Sequence, residues 1–242
     1  MLRQLADFKR QGQLKIEPKR VVSVAEVLDP LDRRLIGDAF EQQIHQVYQC
    51  TEGFLAASCE QGTLHLNEDI VYVEKEYIDR GLGKFVPVIT DFSRITQPIV
   101  RYRLNDILTE QTEACPCGSP FTAIEHIEGR CDDMYYFPST SSDSSRLVAV
   151  FPDFISRCVV YASEHVSAYH AILHAPDRLE IQLDAAEEQQ EDIQTAILVH
   201  LQALCQRLEC RLPQVEFSKY QFTPGVTKLR RVERRFKHAD PS

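Results

Sequence analysis

The chain has 242 residues, of which 43% are hydrophobic, and its formal net charge is −9 from 27 basic and 36 acidic residues. This length allows one large domain or two small ones, and the acidic balance excludes a general nucleic-acid binder, which needs an excess of positive charge. No run approaches the roughly 18 apolar residues of a membrane span, and the start lacks a signal-peptide pattern, which indicates a soluble, cytoplasmic protein.

The first part of the chain predicts helices and strands in alternation. Apolar residues recur at helical spacing from Leu2 to Phe8, and Asp29-Pro30 provides an N-cap and a first-turn proline for a second helix. β-Rich runs are found at residues 21–24, 44–48, 70–73, 85–90 and 99–104. The alternation favours α/β units with parallel pairing, followed by an appended mixed or antiparallel sheet.

The second part of the chain predicts a small α+β domain. A serine-rich stretch at residues 138–146 predicts a loop near the domain boundary, and the basic run from Lys228 to Lys237 is interpreted as a solvated tail. The elements predicted between them are a helix at 151–162, a hairpin of strands at 168–174 and 178–183, a long helix at 187–208 and a strand at 215–220. The fold class is therefore α/β plus α+β. Residues 1–131 form a partial α/β large domain with an appended β-rich part, and residues 132–242 form the small α+β domain.

Four side chains have the spacing of metal ligands. Cys59 and His65 are separated by five residues, and Cys115 and Cys117 flank a proline in front of a glycine. Three thiolates and one imidazole form the ligand set of a closed, tetrahedral structural zinc site with no position left for water. The alternative is that Cys115 and Cys117 are exposed, reduced thiols and that His65 lies on the surface.

Three short polar strings have the composition of a nucleotide site, although each alone is ambiguous. Tyr48 is followed by Thr51-Glu52-Gly53, which sets a hydroxyl and a carboxylate after a strand, where open α/β sheets bind ligands. Asp106 is interpreted as the end of a charged strand, where it can accept hydrogen bonds from both hydroxyls of a ribose. Gly129-Arg130 is interpreted as a turn in front of two acids. The ordinary alternatives are a polar loop, a salt-bridged strand end and a solvated connection.

In their order along the chain, these strings resemble those of the adenylate-forming superfamily, and within it the phenylacetate–CoA ligase and coenzyme F390 synthetase-like subgroup. The matching strings are Tyr-X-X-Thr-Glu at Tyr48, Arg-Tyr-Arg-X-X-Asp ending at Asp106, Cys-X-Cys-Gly at Cys115 and Gly-Arg-X-Asp-Asp at Arg130. The resemblance implies a ligase that activates a carboxylic acid with ATP to an acyl-adenylate, which then reacts with a thiol or amine. The implied cofactors are ATP or AMP, Mg²⁺ and a structural Zn²⁺.

The resemblance also implies roles for individual residues. Glu26 lies in the segment that packs against adenine, and Tyr48 matches the residue that stacks on it. Thr51 would contact the α-phosphate, Glu52 would hold Mg²⁺ and Asp106 would bind the ribose hydroxyls. The other implied positions are Arg130 at the nucleotide, Asp132 as the pivot of the small domain, and Lys228 between the substrate carboxylate and the ATP phosphate.

The sequence departs from the family in three respects. The segment at residues 23–26 lacks the family's usual glycine pair, Gln49 and Asn105 stand where the family has glycine, and no Ser/Thr/Gly-rich phosphate loop precedes Tyr48. Because such a loop cradles the β- and γ-phosphates, the large domain is expected to be partial and the chain inactive alone. The alternative is a non-catalytic, zinc-stabilised module that binds nucleotide or a partner. The expected partners are a small carboxylic acid and its acceptor, or otherwise a second copy in a homodimer or a chain that supplies the missing half.

Overall fold

The computed structural model describes residues 1–25, 27–141, 146–221 and 230–237. The chain divides into two units, Met1–Gly129 and Arg130–Ser242. None of the described helices is long and apolar enough to cross a membrane. The assignment of residues 1–131 to a large adenylating domain and of residues 132–242 to a small mobile domain stays a prediction.

Two helices and a parallel pair of strands begin the first unit. They are α1 (Leu2–Arg10), β1 (Val21–Val24), α2 (Pro30–Phe40) and β2 (Ile44–Cys50), and the predicted parallel pairing of β1 with β2 is confirmed. Helix α2 begins where the Asp29 carboxylate accepts a hydrogen bond from the Leu31 N–H at 2.8 Å, and it ends at Glu41 in the left-handed conformation. Helices and strands share a buried apolar core made of Ala6, Val21, Ile36, Phe40 and Ile44.

The remaining strands of the first unit extend this pair into a nine-stranded sheet. They are β3 (Gly53–Ser58), β4 (Leu64–Leu66), β5 (Val71–Asp79), β6 (Lys84–Asp91), β7 (Ile99–Arg103), β8 (Asp106–Glu110) and β9 (Ala123–Arg130). Their order across the sheet is β1-β2-β3-β4-β9-β8-β6-β5, and β7 also pairs with β6. Strands β2, β3 and β4 pair antiparallel, as do β5, β7 and β8 with β6. The predicted antiparallel extension of the α/β part is therefore confirmed.

Strand β4 joins the two parts of this sheet. On one side it pairs with β3, and on the other it pairs with β9 through Leu64 opposite Ile124 and His65 opposite Ala123. Apolar side chains from both parts of the sheet, including Leu55 and Phe85, belong to one buried core. The β4–β9 pairing is short, but the apolar core continues from one part of the sheet to the other.

The second unit has the predicted α+β fold. A 3-10 turn at Cys131–Asp133 leads to an antiparallel hairpin, and a second one at Glu187–Gln189 precedes the long helix. The elements of the unit are β10 (Tyr135–Pro138), β11 (Leu147–Val150), α3 (Pro152–Val160), β12 (Ala168–Ala175), β13 (Arg178–Asp184), α4 (Gln190–Leu208), β14 (Gln214–Lys219) and β15 (Val232–Arg234). The main sheet has the order β14-β13-β12-β15, with an antiparallel β12–β13 hairpin and a parallel strand on each side. Helix α4 buries Ile193, Ile197, Leu201 and Leu204.

Three details correct the sequence predictions. Within residues 230–237 the basic run is not a solvated tail, because it forms β15. The Arg234 guanidinium also stacks on two aromatic rings, 5.2 Å from the centre of Tyr136 and 5.5 Å from the centre of Phe236. Gly129-Arg130 ends strand β9 and is not a turn, since the turn follows at Cys131–Asp133. The serine-rich stretch connects β10 to β11 inside the second unit, and its residues 142–145 lie outside the described part of the chain.

Candidate functional site

Four side chains of the kinds that bind metal ions, called the metal-type cluster below, lie close together where β4 pairs with β9. The ligand atoms of Cys59, His65, Cys115 and Cys117 all lie within 4.8 Å of one another. The Cys59 and Cys115 sulfurs are 3.8 Å apart, and the Cys117 sulfur is 3.4 Å from His65 Nε2. Tetrahedral zinc, with bonds of about 2.3 Å to sulfur and about 2.0 Å to nitrogen, separates its ligands by about 3.5–3.8 Å. Two of the separations between ligand atoms therefore match those of a tetrahedral zinc site, and the others lie within 4.8 Å.

Two tight turns present the sulfur atoms. The Gly62 N–H donates to the Cys59 carbonyl at 2.9 Å, and the Gly118 N–H donates to the Cys115 carbonyl at 3.1 Å. Both glycines have a left-handed φ, 76° and 75°, which residues with a side chain disfavour. Both loops thus share the spacing Cys-X-X-Gly, although sequence reasoning used this signal only for the second one.

The hydrogen bonds of the cluster suit metal binding. His65 is 5% exposed, and its Nδ1 lies 3.1 Å from the Phe121 carbonyl oxygen. A proton on Nδ1 donates to this carbonyl, which leaves the Nε2 lone pair for a metal. Contacts with Thr63 and with the backbone N–H of Cys117 lower the pKa of the Cys115 thiol to about 6, so that it is a thiolate at neutral pH. Across residues 1–25, 27–141, 146–221 and 230–237, this is the one group of three or more such side chains close enough to hold an ion.

Two of the predicted nucleotide-binding residues contact each other. The Tyr48 hydroxyl donates a hydrogen bond to Asp106 Oδ2 at 2.6 Å. The Tyr48 side chain is 7% exposed and belongs to the buried core, whereas Asp106 is half-buried. Burial and the neighbouring Asp106 carboxylate raise the pKa of Tyr48 well above its usual range, so the hydroxyl remains a donor. Asp106 is the first residue of β8, and not the end of the preceding strand as the sequence suggested.

Thr51 and Glu52 form the tip of the β2–β3 hairpin. They connect antiparallel strands, whereas sequence reasoning placed them after a strand of an open α/β sheet. Thr51 is exposed and Glu52 is half-buried. The pKa of the Glu52 carboxylate is lowered, mainly by a hydrogen bond from the Cys50 thiol. Burial acts to raise this pKa, whereas a hydrogen bond from Tyr102 and the positive charge of Arg94 lower it further. Glu52 is therefore ionised at neutral pH.

Sequence reasoning missed three residues around Glu52, namely Cys50, Arg94 and Tyr102. Burial and the Glu52 carboxylate raise the pKa of the Cys50 thiol to about 11, so that it stays protonated. Tyr102 belongs to the Arg-Tyr-Arg string, but the sequence analysis considered only the spacing between that string and Asp106. No sequence signal marked Arg94, which lies in the loop after β6.

The remaining predicted residues have the following places. Arg130 is the exposed last residue of β9. Asp132 lies in the 3-10 turn, where its carbonyl accepts a hydrogen bond from Arg234 Nε at 3.1 Å. Glu26 and Lys228 lie outside the described residues.

The structure is similar to several solved ligases. It matches a 2-hydroxyisobutyryl-CoA ligase in complex with 2-HIB-AMP at a TM-score of 0.70 and 20% identity, over 95% of this chain and 52% of that chain. It matches the anthranilate CoA ligase AuaEII in complex with anthranoyl-AMP at 0.57 and 13% identity, over 94% and 46% of the two chains. A third match is coronafacic acid ligase from Pectobacterium brasiliense, at 0.57 and 10% identity, over 93% and 45%.

No protein-family model and no curated protein matches the sequence. The structural likeness extends over nearly all of this chain, which spans about half the length of the ligases that it matches. The fold expected from the sequence resemblance is thereby confirmed. The chain has the fold of the adenylate-forming acyl ligases, over the part of that fold that its 242 residues span.

Proposed function

We propose that this chain is part of a ligase that activates a carboxylic acid with ATP, giving an acyl-adenylate and pyrophosphate. The observation that carries the proposal is the hydrogen bond between Tyr48 and Asp106, near the β2–β3 turn that contains Glu52. It occurs in a fold shared with ligases that were solved with acyl-AMP molecules. Because the chain spans about half of those ligases, the complete reaction is proposed for an enzyme that also contains the other half.

In this proposal the residues of the first unit bind the nucleotide. Asp106, oriented by the Tyr48 hydroxyl, accepts hydrogen bonds from the ribose hydroxyls, and Tyr48 lies at the adenine. The exposed Thr51 hydroxyl reaches the α-phosphate. Glu52 is ionised and half-buried, which fits a ligand of Mg²⁺, a cation that prefers carboxylate oxygens. Mg²⁺, when bound, supplies positive charge to the phosphates.

Residues outside this group keep the roles that the sequence resemblance implies. Glu26 belongs to the adenine-packing segment, and Arg130 contacts the nucleotide. Lys228 lies in the second unit, which the proposal treats as the small mobile domain, and it bridges the substrate carboxylate and the phosphate that is attacked. A thiol or an amine then accepts the acyl group.

Nucleotide titration by calorimetry tests the binding part of this proposal. The purified chain is expected to bind AMP, and to bind ATP no more tightly, because the residues proposed here contact the adenosine and the α-phosphate. Asp106→Asn should weaken AMP binding about tenfold, since one charged hydrogen-bond partner of the ribose is lost. Asp69→Asn, at an exposed position, is the control. Failure of the chain to bind AMP, or equal affinities of the two variants, would contradict the proposal.

Pyrophosphate release tests the catalytic part. A panel of carboxylic acids with MgATP should give no turnover with these residues alone. Turnover is expected when the chain is joined to, or mixed with, the polypeptide that supplies the other half of the fold. If that complete protein also releases no pyrophosphate with any acid, the ligase activity is excluded.

We further propose that Cys59, His65, Cys115 and Cys117 hold a structural zinc ion. The closeness of the four ligand atoms supports this assignment, as does His65 Nε2, which faces the Cys117 sulfur while Nδ1 lies at the Phe121 carbonyl. Elemental analysis of the purified chain should give about one zinc per chain. Cys117→Ser should lose most of it, whereas Cys131→Ser, outside the cluster, should retain it. Zinc well below one equivalent in the unmodified chain would contradict the assignment.

A non-catalytic, partner-binding module is the second candidate function, and the edge of the first sheet favours it. Among the described residues β1 pairs with β2 alone, and its Val22 and Val24 are 38% and 42% exposed. Parallel strands are usually covered on both faces, and an open apolar edge takes up another strand. The partner would be a chain that supplies the missing half, or a second copy. Light scattering that finds only monomer at high concentration would count against the second copy.

A further inference from the structure

The imidazole of His65 is oriented by the peptide group that joins Phe121 to Thr122. His65 Nδ1 lies 3.1 Å from the Phe121 carbonyl oxygen, and because a carbonyl can only accept, the Nδ1 proton is donated to it. His65 is 5% exposed, so water competes little for this hydrogen bond. In this tautomer Nε2 carries the lone pair, and it faces the Cys117 sulfur at 3.4 Å.

The N–H of the same peptide group is held by a carboxylate. The Thr122 N–H donates to Glu68 Oε2 at 2.7 Å, and the Thr122 hydroxyl donates to Glu68 Oε1 at 3.0 Å. Because this peptide bond is trans, its C=O and N–H point in opposite directions, and His65 and Glu68 lie on opposite sides of it. One chain of hydrogen bonds therefore runs from the His65 imidazole through the peptide group to the Glu68 carboxylate.

The turn that presents Glu68 is fixed to the sheet by Asn67. The Asn67 N–H donates to the Leu55 carbonyl of β3 at 2.8 Å, and its side-chain amide donates to the Phe54 carbonyl at 3.1 Å. Strand β4 thus carries His65 within its length and holds Glu68 just beyond its end.

The peptide group belongs to the loop that also carries Cys117. The Ser119 N–H donates to the Cys117 sulfur at 3.4 Å, and the Ser119 hydroxyl accepts from the Phe121 N–H at 3.3 Å. Further along, the Thr122 carbonyl accepts from the Leu66 N–H of β4 at 2.9 Å. The loop is tied to the metal-type cluster at its start and to β4 at its end, which keeps the Phe121 carbonyl at His65.

We propose that Glu68 is a positioning residue of the metal-type cluster and acts on His65 through the Phe121–Thr122 peptide group. This inference rests on the proposed zinc site. The charge of Glu68 strengthens its hydrogen bond with the Thr122 N–H, and because hydrogen bonds in a chain polarise one another, the Phe121 oxygen becomes a stronger acceptor. A stronger acceptor at Nδ1 makes Nε2 a better ligand. Metal-binding histidines often donate directly to a carboxylate, whereas here a peptide group stands between the two.

Zinc affinity tests the inference, measured by competition with a coloured chelator at fixed pH and ionic strength. Glu68→Ala should weaken zinc binding about tenfold, the lower end of the loss found when an outer partner of a metal ligand is removed. Glu68→Gln can keep both hydrogen bonds, because its amide oxygen accepts from the Thr122 N–H and its nitrogen donates to the hydroxyl. It should weaken binding about threefold, since hydrogen bonds to a neutral acceptor are roughly half as strong as those to a charged one.

Asp69→Asn is the matched control for the change of charge. Asp69 is the next residue of the same turn and is exposed, so this variant also removes one negative charge beside the cluster. It should bind zinc as tightly as the unmodified chain. Unchanged affinity in Glu68→Ala, or an equal loss in Glu68→Gln and Asp69→Asn, would overturn the inference.

The proton on His65 Nδ1 gives a readout that a purely structural role of Glu68 would not move. In zinc-loaded protein labelled with ¹⁵N-histidine, its resonance should shift upfield in Glu68→Gln, because the hydrogen bond to the Phe121 carbonyl is weaker. It should stay in place in Asp69→Asn. An unmoved resonance in Glu68→Gln would refute the action through the peptide group.

The same measurements separate this inference from the zinc site on which it rests. If the unmodified chain takes up no zinc, the proposed site fails and the role of Glu68 fails with it. If the unmodified chain takes up zinc and the Glu68 variants hold it equally well, the site stands and the role of Glu68 alone is refuted.

Discussion

Glu180 on β13 has a pKa of about 2, well below its ordinary value of 4.5. The main cause is a hydrogen bond from the Ser218 hydroxyl at 2.7 Å, and His174 at 2.8 Å and Gln182 at 3.1 Å add to it, whereas burial opposes it. Because these side chains lie on β12, β13 and β14, the ionised carboxylate connects three adjacent strands of the second unit.

This shift predicts acid sensitivity of the second unit. The folded-state pKa is depressed, so the stabilisation is fully present above pH 4.5 and is lost as the pH falls towards about 2. Glu180→Gln should lower the free energy of unfolding at neutral pH by about 1–2 kcal/mol. The variant should also lose less of this free energy than the unmodified chain as the pH falls from 4.5 to about 2. Urea unfolding at a series of pH values measures both effects.

Glu216 provides the matched control for this prediction. It lies opposite Glu180 in the β13–β14 register and is exposed. His170 and His174, which also lie near Glu180, are the same in both variants. A pH profile of Glu180→Gln that matches that of Glu216→Gln would refute the role of Glu180.

At the residue scale, local chemistry was predictable and contacts across the sheet were not. The metal-type residues could be found because thiols and an imidazole at short spacings restrict the choice of ligand sets. The Tyr48–Asp106 hydrogen bond joins residues 58 positions apart and depends on the order of the strands.

At the scale of elements, the two Cys-X-X-Gly turns differ in what surrounds their glycines. A Cβ added to Gly118 would meet no atom within 4 Å, so an alanine there suffers only from its left-handed φ of 75°. A Cβ added to Gly62 would lie 1.9 Å from Gln43 Nε2, which donates to the Gln61 carbonyl. An alanine at Gly62 therefore also displaces the Gln43 side chain and its hydrogen bond.

We predict that Gly118→Ala lowers the free energy of unfolding by about 1 kcal/mol, the usual strain of a left-handed alanine. Gly62→Ala should lower it by about 1 kcal/mol more, for the lost hydrogen bond. Gly12→Ala, at a φ of 72° with no neighbour within 4 Å and away from the metal-type cluster, controls for backbone strain. The prediction would be contradicted if denaturant unfolding found Gly118→Ala to be less stable than Gly62→Ala.

Helices and strands whose own residues mark their start and their apolar face could be predicted from the sequence. Strands that form only because a neighbouring strand pairs with them could not. Helix α2 has an N-cap, a first-turn proline and an apolar stripe, and the structure reproduces all three. Strand β3 is rich in small residues, and β9 alternates apolar and charged residues around a glycine, so neither stood out. The basic segment of β15 becomes a strand because β12 offers it a parallel partner, which no local property indicates.

For the whole molecule, the position of the metal-type cluster predicts that metal removal affects one unit. All four proposed ligands belong to the unit Met1–Gly129. A strong chelator should therefore accelerate amide hydrogen exchange in β4 and β9 by at least about tenfold and leave helix α4 in the other unit unchanged.

Cys117→Ser should reproduce this exchange pattern without chelator, and Cys131→Ser should not. Equal acceleration in both units, or protection of β4 that does not respond to chelator, would show that the cluster does not stabilise the first sheet. The matched ligases are about twice as long as this chain, and their additional half could not be inferred from its residues in the same way.

The short ladder between β4 and β9 has a consequence for how the sheet assembles. Cys59 and Cys115 are 56 positions apart, and closing a flexible loop of that length costs roughly 3–4 kcal/mol of chain entropy. An ion held at both ends of the loop before folding would remove much of this cost from the unfolded chain, as a cross-link does. Strands β4 and β9 would then meet while the β5–β6 hairpin between them was still forming. Early binding of the proposed zinc ion would therefore favour the pairing of β4 with β9 before the rest of the nine-stranded sheet is complete.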